Sequence, residues 1–468
     1  MHVGRWNVIR LSGMGLLLSL GARRAEGHDW TRFGWDAGRS NASTPSTGID
    51  AGNVGRLRRQ RVSIDGTVDA SAIYLHAARV GGRAHDVFVV TTTYGKTLAV
   101  DAEDGAVLWR FTPPGYDGWA GSYRVTTATP VADPDRAFIY VAAPDGRIRK
   151  LDVADGHSVW STSITRLPER EKIASALNFD RGHVIAVTGG YIGDASPYQG
   201  HVALLDALTG KLLHVWNSLC SERSELMIPS SCGESGAAIW GRAGAVVDTA
   251  TGSIFVATGN GHWDGHRDWG DATIELNADA TRMLGNFTPA NTNALDDGDT
   301  DLGSTSPVLA GPLVIQGGKD AKLSVLDWRV MRGTAAHRGH AGEDVPTPSG
   351  AGLFTTPAIA RTTGGTWVFA ADNGGTAAWT IDGGRLRIAW KNRSAGTSPV
   401  VAGGLLYVYD PSGGLRVYEP QTGHLVATLE CGGGHWNSPI VADGRIAMPE
   451  GDANSHRTSG VLNIFRAR

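Results

Sequence analysis

Four carboxylates lie within residues 296–301 of the sequence, at Asp296, Asp297, Asp299 and Asp301. A carboxylate can act as a general base in an enzyme when it lies within ~2.6–3.2 Å of the proton that it removes. An acidic turn that is simply solvated by water has the same composition, since Asp is a common turn residue. The cluster therefore indicates either a base or a surface turn, and both interpretations stay open at this point.

Three other residues have side chains suited to binding a ligand. Asn260 ends a Thr-Gly-Asn sequence, and its amide oxygen suits a hard cation, although a turn residue after Gly259 is the alternative. Trp240 offers a flat aromatic surface for a planar ligand, or it is one more core tryptophan. Lys319 lies in a Gly-Gly-Lys turn, where a surface lysine is the alternative to one that binds a ligand.

The three cysteines are too few for a fold built on disulfides. Cys220 and Cys232 bracket a polar stretch, and a disulfide bond between them would close a loop of ~13 residues. Cys431 would then be the unpaired cysteine. Buried or free thiols are the alternative. The sequence contains no Cys-x-x-Cys-His, so we expect no haem attached covalently to this chain.

The elements that must position these residues are predicted to be β-strands. The 468 residues include 64 Gly and 20 Pro, and glycine at that density breaks helices and supplies turns. Hydrophobic residues make up 41% and charged residues 19%, which is typical of a large buried core rather than a disordered chain. The net charge of −3 gives no basic surface for binding nucleic acid or an anionic membrane.

A repeat of about 50 residues runs along the chain and predicts the fold. Each copy has a short strand, a glycine turn, a strand that ends in a hydrophobic residue and Asp, and a second glycine turn followed by an aromatic residue. The recurring acids are Asp101, Asp152, Asp206, Asp327 and Asp382, and the recurring aromatics are Trp109, Trp160, Trp216 and Trp390. A period of 40–50 residues with four short strands is typical of a β-propeller blade, and a Trp on an outer strand can pack between blades.

Counting the repeats gives seven internal blades between about Val89 and Glu430. We expect the Asn-Val-Gly-Arg-Leu segment near the N-terminus and the last strands of the chain to complete an eighth blade. Sharing this blade fixes both termini in the fold. The sequence therefore predicts an all-β, eight-bladed β-propeller of four-stranded blades, forming a single domain over residues 28–468. Seven blades is the alternative.

These segments resemble the pyrroloquinoline quinone (PQQ) β-propeller family, which includes quinoprotein alcohol dehydrogenases. The resemblance covers residues 29–465 and rests on the tryptophan-docking repeats, on an opening Asp-Trp-x-x-Phe-Gly-x-Asp and on Asn-Val-Gly-Arg-Leu. It implies that Trp240 forms the floor under the planar quinone, that Asn260 ligates Ca²⁺ and that Lys319 hydrogen-bonds the quinone oxygens. Because equivalent loops of successive blades lie side by side around the axis, these residues are expected at one end of the central channel.

The resemblance also implies roles for three further residues. Asp301 is the first choice for the general base that takes the proton of an alcohol, and Asp299 is the second. Arg124 is similar to the arginine that pairs with a cofactor carboxylate. Asp194 is the residue that could replace a metal-binding glutamate, because Thr-Gly-Gly-Tyr-Ile-Gly-Asp stands where the family has Gly-Gly-x-Glu.

The chain departs from the family's alcohol dehydrogenases in lacking both that glutamate and an adjacent Cys-Cys pair. A Ca²⁺ site short of one carboxylate binds its ion more weakly. Two functions are therefore kept. The first is an exported PQQ- and Ca²⁺-dependent dehydrogenase that oxidises an alcohol or sugar hydroxyl and passes electrons to a separate acceptor. The alternative is a non-enzymatic propeller with a degenerate cofactor site that acts as a protein-interaction scaffold.

The first 27 residues are predicted to be a secretory signal peptide. Arg5 and Arg10 provide positive charge at the start, and an apolar run of about 12 residues follows over residues 11–22. That run is too short to span a bilayer, and no later segment is long and apolar enough to do so. We therefore expect a periplasmic or secreted protein without a membrane span.

Overall fold

The computed structural model describes residue 1, residues 27–340 and residues 342–467. Residues 2–26 of the predicted signal peptide lie outside the described residues, so that interpretation stays a prediction. Within the described residues helices are short, because glycine turns interrupt the chain repeatedly. The two α-helices are Thr292–Asp297 and Trp328–Met331, and the 3₁₀ turns are Val54–Arg56, Tyr116–Gly118, Pro229–Ser231, Leu302–Ser304 and Ala453–Ser455.

Eight antiparallel sheets form a ring of blades, numbered 1 to 8, and the strands of each run in order from the innermost to the outermost. Blade 1 comprises Ile73–Val80, Arg83–Thr91, Thr97–Asp101 and Val107–Phe111. Blade 2 comprises Val131–Ala132, Phe138–Ala143, Arg147–Asp152 and Ser158–Ser163. Blade 3 comprises Asn178–Asp180, His183–Val187, His201–Asp206 and Leu212–Asn217. Blade 4 comprises Val246–Val247, Ile254–Ala257, Thr273–Leu276 and Met283–Pro289, with Arg338–Gly339 added in parallel at its edge.

The second half of the ring repeats this pattern. Blade 5 comprises Val308–Ala310, Leu313–Gly317, Lys322–Asp327 and Glu343–Pro346. Blade 6 comprises Ala358–Thr362, Gly365–Ala371, Thr376–Asp382 and Arg385–Asn392. Blade 7 comprises Val400–Ala402, Leu405–Tyr409, Leu415–Tyr418 and Leu425–Leu429. Blade 8 comprises Ile440–Ala442, Arg445–Glu450, Gly460–Arg466 and Arg58–Ile64, and a separate two-stranded sheet pairs Glu171–Lys172 with Gly189–Gly190.

The ring closes through a blade that the two ends of the sequence share. Arg58–Ile64 is the outer strand of blade 8 and pairs antiparallel with Gly460–Arg466 over its whole length. Pairing the first strand with the last completes the four strands of blade 8 from both ends of the sequence, which closes the ring. The prediction of eight four-stranded blades is confirmed, and the seven-blade alternative is wrong.

Tryptophans on the outer strand of one blade pack on a glycine turn of the next. The Trp109 indole N–H donates a hydrogen bond of 2.9 Å to the carbonyl of Val153 in blade 2. The Trp160 ring covers Gly210, where an added Cβ would lie 2.5 Å from the ring and where φ is +73°. Only glycine suits such a position, because other residues disfavour this φ and the ring leaves no room. The repeated Trp and Gly are thus the two halves of the contact between neighbouring blades.

Residues 28–47 run around the inside of the ring and form a segment that we call the belt. Backbone hydrogen bonds join the belt to blades 1, 2, 4, 6, 7 and 8, at Tyr74, Ala132, Val247, Ile359, Val401 and Gly444. Arg32 adds blade 3, since its guanidinium donates to the Phe179 carbonyl at 2.7 Å. These partners lie within the inner strands or directly after them, so the belt follows the inner edges of the blades.

The structure bonds Cys220 to Cys232, with a Cα–Cα distance of 6.1 Å, and leaves Cys431 as a free thiol. Burial raises the pKa of that thiol to about 11. No helix in the part of the chain that the structure describes has the length and apolar character needed to cross a bilayer.

Candidate active site

Segments that lead into the inner strands of several blades meet at one end of the ring. Together with turns between the second and third strands of blades 3, 5 and 8, they surround a cavity of about 220 Å³. Its charged lining residues are Asp69, Lys172, Asp194, Arg242, Asp301, Lys319 and His435. Equivalent loops of different blades supply these side chains, so residues far apart in the sequence face one space.

Of the seven residues singled out from the sequence, the structure places Trp240, Asp301, Lys319 and Asp194 in the wall of this cavity. Asn260 lies directly behind Asp301, because its backbone N–H donates to Asp301 Oδ1 at 2.9 Å.

Asp301 is buried and is held by donors from three directions. Its Oδ1 accepts the Asn260 N–H and lies 3.5 Å from the indole nitrogen of Trp240, while its Oδ2 forms a close ion pair with the Lys319 ammonium. Burial lowers the pKa of Lys319, but its hydrogen bonds to Asp299 and Asp301 outweigh this effect and raise its pKa above the ordinary value. The carboxylate of Asp301 is thus fixed in orientation by its neighbours.

The Asn260 side chain has an oxygen without a partner. Its Nδ2 donates to the Asp296 carbonyl at 3.3 Å, whereas its buried Oδ1 accepts no hydrogen bond. A buried acceptor left unpaired is costly, which indicates that something absent from the chain itself binds there. A neutral amide oxygen is a ligand that Ca²⁺ prefers.

Asp194 brings a second carboxylate towards the same place. Burial raises its pKa, and the negative charge of Asp301 raises it further, so the two carboxylates lie within electrostatic reach of each other. Two carboxylates that repel each other beside an unpaired amide oxygen form an oxygen-only donor set. That chemistry fits a hard divalent cation such as Ca²⁺, which Asn260, Asp194 and Asp301 would hold.

Three aromatic rings form one side of the cavity. Trp240 stacks on Trp436 with ring centroids 5.9 Å apart, and Trp436 stacks on Phe354 at 5.5 Å with an angle of 15° between the planes. Such a surface suits a planar aromatic ligand, because flat rings bury large apolar areas against each other. The single aromatic floor expected from the sequence is therefore a cluster of three rings.

Asp299 and Arg124 are not in the cavity wall. The Asp299 side chain is 73% exposed at the rim, where its Oδ1 accepts a hydrogen bond of 2.8 Å from Lys319. Arg124 donates to the Pro144 carbonyl at 3.0 Å, and its guanidinium lies 5.8 Å from the Trp119 ring. The local sequence around Arg124 resembles a cofactor-binding segment, but its side chain is held by blade 2 instead.

Sequence reasoning missed a buried ionic network on the other side of the cavity. Arg242 donates to Asp69 Oδ1 at 3.0 Å, and His435 Nδ1 lies 2.8 Å from Asp69 Oδ2. Burial raises the pKa of Asp69, but the positive charge of Arg242 and the contact with His435 outweigh it and hold that pKa well below its usual range. The one available signal was position, since Arg242 follows Trp240 by two residues and His435 precedes Trp436.

A second missed residue, Asp271, lies beneath Asp301 and is fully buried. Its Oδ1 accepts the Leu302 N–H at 2.9 Å, and its Oδ2 has no partner. Burial, reinforced by the charge of Asp301, raises the pKa of Asp271 to about 8. Asp271 therefore carries a proton at neutral pH, and nothing in the local sequence distinguishes it from a turn residue.

Comparison with known proteins agrees with this architecture. The family described as outer membrane protein assembly factor BamB, of PQQ-type propellers, matches residues 35–227 and 364–459, well over half of the chain. The chain therefore belongs to the PQQ-type β-propeller family.

Individual relatives are more distant. The chain is 25% identical over 207 residues to polyvinylalcohol dehydrogenase of Sphingopyxis sp. (strain 113P3), a match that covers 42% of this chain and 31% of the relative. It is 29% identical over 200 residues to quinohemoprotein alcohol dehydrogenase ADH IIB of Pseudomonas putida, covering 41% of this chain and 26% of the relative. The match thus spans about a third or less of either relative.

Among solved structures, quinohemoprotein alcohol dehydrogenase ADHIIG from Pseudomonas putida superposes with a TM-score of 0.70 at 16% identity, over 94% of this chain and 80% of that one. At that identity the likeness establishes the shared propeller fold and nothing finer.

Proposed function

We propose that this protein is a quinoprotein dehydrogenase that binds PQQ and Ca²⁺ and oxidises the hydroxyl of an alcohol or sugar. The observation that carries the proposal is the unpaired, buried Oδ1 of Asn260 beside the fixed carboxylate of Asp301. Both lie next to an aromatic surface of the kind that binds a flat cofactor. The relatives named alcohol and polyvinylalcohol dehydrogenases support the same reaction class.

Oxidation of an alcohol removes a proton from oxygen and a hydride from carbon. When bound, PQQ supplies the two-electron acceptor for the hydride, and Ca²⁺ supplies positive charge at the quinone carbonyl. Asp301 takes the hydroxyl proton, and the Trp240 and Asn260 N–H groups keep its carboxylate in one orientation. Trp240, Trp436 and Phe354 exclude water from one side of the cavity, which strengthens the electrostatic interactions within it.

The proposal includes export to the periplasm or beyond, and a separate electron acceptor, because the sequence has no haem-attachment motif. The predicted signal peptide supports export.

An interaction scaffold is the second candidate. It is favoured by the family description, which is that of an outer membrane assembly factor, and by the lack of a Cys-Cys pair and a metal-binding Glu in the expected places. A scaffold needs no cofactor, so cofactor binding distinguishes the two functions.

The test is reconstitution of the purified protein with PQQ and Ca²⁺, followed by calorimetry and dye-linked oxidation of a panel of alcohols and sugars. We expect Asp301→Asn to retain PQQ affinity and to lose about 10²–10⁴-fold in kcat, the usual contribution of a general base. Asp297→Asn is the matched control, because Asp297 is an exposed acid of the same segment. Wild-type protein that binds no PQQ in the presence of Ca²⁺ would favour the scaffold.

A further inference from the structure

The wall of the cavity built by blades 1 to 3 contains a cation without a partner. Lys172 ends the short strand Glu171–Lys172, ahead of the inner strand of blade 3, and it lines the cavity. Within the described part of the chain, the structure gives its ammonium group neither a hydrogen bond nor an ion pair. The other lining lysine, Lys319, is paired with two carboxylates.

Arg242 lies next to Lys172 and also has an N–H donor that no acceptor among the described residues pairs with. Its guanidinium is buried, donates to the Asp69 carbonyl at 3.2 Å and to Asp69 Oδ1 at 3.0 Å, and lies 4.6 Å from the centre of the Trp436 ring. Its Nε is buried and has no hydrogen-bond partner. Asp69 therefore fixes the orientation of Arg242 without satisfying all of its donors.

Positive charge exceeds negative charge in this part of the cavity wall. Asp69 already faces Arg242 and accepts from His435 and from the backbone N–H of Ala453, so little of its negative charge is left for Lys172. Burial, aided by the charge of Arg242, lowers the pKa of Lys172 to about 8. A desolvated cation next to a second cation is unfavourable, and an anion placed between them would remove that penalty.

We propose that Lys172 and Arg242 form a carboxylate-binding subsite that anchors an acid group of the ligand against the Trp436 ring. The inference rests on the proposed function in taking the acid to be a carboxyl group of PQQ. It adds the orientation, with the acid end of the cofactor at Lys172 and Arg242 and its carbonyl end at Asp301 and Lys319. A carboxylate of the substrate has the same chemistry, and the experiment separates these two sources.

The first measurement compares PQQ affinity in the wild type and in Lys172→Met, with Ca²⁺ present. A hydrogen bond to a charged group contributes ~1.5–3 kcal/mol, so we expect Lys172→Met to weaken PQQ binding by about 10- to 100-fold. Lys172→Arg should recover most of the loss. The trimethyl ester of PQQ, which lacks free carboxylates, should bind weakly to the wild type and no more weakly to Lys172→Met.

Substrate acids form the second arm. If the carboxylate belongs to the substrate, Lys172→Met leaves PQQ affinity unchanged but raises KM for a 2-hydroxy acid and not for the matching alcohol. That result supports the subsite and assigns it to the substrate. If neither PQQ affinity nor this KM changes, the proposal is overturned.

A third measurement does not depend on dehydrogenase activity. Acetic anhydride labels unprotonated amines, and peptide mass spectrometry gives the labelling rate of each lysine. We expect pyridine-2,4,6-tricarboxylate, a planar aromatic acid, to slow the labelling of Lys172, whereas the corresponding tricarboxamide has no effect. The exposed Lys391 is the control and should be labelled at the same rate with either compound. Protection of Lys172 in a protein that binds no PQQ would refute the dehydrogenase and keep the subsite, and no protection by the acid would refute the subsite.

Discussion

Asp271 permits a quantitative test of the electrostatics beneath the candidate base. It is fully buried, one of its oxygens has no partner, and its pKa is raised to about 8 from a usual value of 3.8. In the folded protein it is therefore protonated at neutral pH, whereas in the unfolded chain it is ionised. Asp271→Asn keeps the shape of the side chain and removes this titration.

The magnitude follows from the difference between the two pKa values. A raised pKa in the folded state means that the stability is fully present below the unfolded pKa and is lost as the pH rises towards the folded pKa. At 1.36 kcal/mol per pKa unit, the loss is about 0.5 kcal/mol at pH 4 and about 4 kcal/mol at pH 7. Asp271→Asn should therefore resemble the wild type at pH 4 and be more stable at pH 7.

Thermal unfolding of the metal-free protein, with a chelator present, measures this difference. The unfolding entropy of about 2.1 cal/mol/K per residue makes 4 kcal/mol worth a rise of about 4 °C in Tm for a propeller of this length. Asp297→Asn, at an exposed position, should change Tm equally little at both pH values. Parallel curves of Tm against pH for Asp271→Asn and the wild type would show that Asp271 is ionised in the folded protein, contrary to our reasoning.

Three further outcomes are expected. In thermal unfolding, Gly210→Ala should lower Tm more than Gly404→Ala. Both positions have a positive φ (+73° and +77°), but only Gly210 lies under a tryptophan ring. Equal losses of Tm would contradict the docking contact. Burial lowers the pKa of the fully buried His201, but the charge of Glu171 outweighs this effect and raises it. The stability from this pair is therefore full below pH ~6.5 and lost as the pH rises through the raised pKa, so that Glu171→Gln, which removes the charge that raises this pKa, should abolish the loss in Tm with rising pH. Trp240→Ala should weaken PQQ binding in calorimetry without loss of Tm comparable to a core substitution, since Trp240 lies in the cavity wall, and unchanged affinity would remove it from the cofactor site.

The fold was predictable because its information is local and repeated. Most blades repeat the same short pattern of strands and glycine turns, and the contact of Trp160 with Gly210 recurs between Trp109 and Gly156 and between Trp390 and Gly423. The ring then brings Trp240 and Asp301 together without any further information, since each precedes the inner strand of its blade.

The rest of the site could not be predicted in this way. Asp69 meets Arg242 and His435 across separations of 173 and 366 residues, and no repeat encodes those pairs. Arg124 shows a second limit, because a local motif predicts a residue type but not the direction of its side chain, and the Arg124 guanidinium donates to the Pro144 carbonyl. The elevated pKa of Asp271 depends on burial and on neighbouring charges, neither of which can be read from the residues beside it in the sequence.

The belt has a consequence for the order of events during synthesis. Residues 28–47 leave the ribosome long before two of their partners, Val401 and Gly444, which belong to the last two blades. The backbone groups of the belt therefore stay unpaired while several hundred residues are synthesised. Long-range pairing of this kind is intrinsically slow. A chain that stops within blade 8 lacks both the partner of the first strand and the last attachment of the belt. Incomplete chains are thus left with exposed edges at both ends, which makes them ready targets for proteolysis, whereas in the complete chain the first and last strands cover each other.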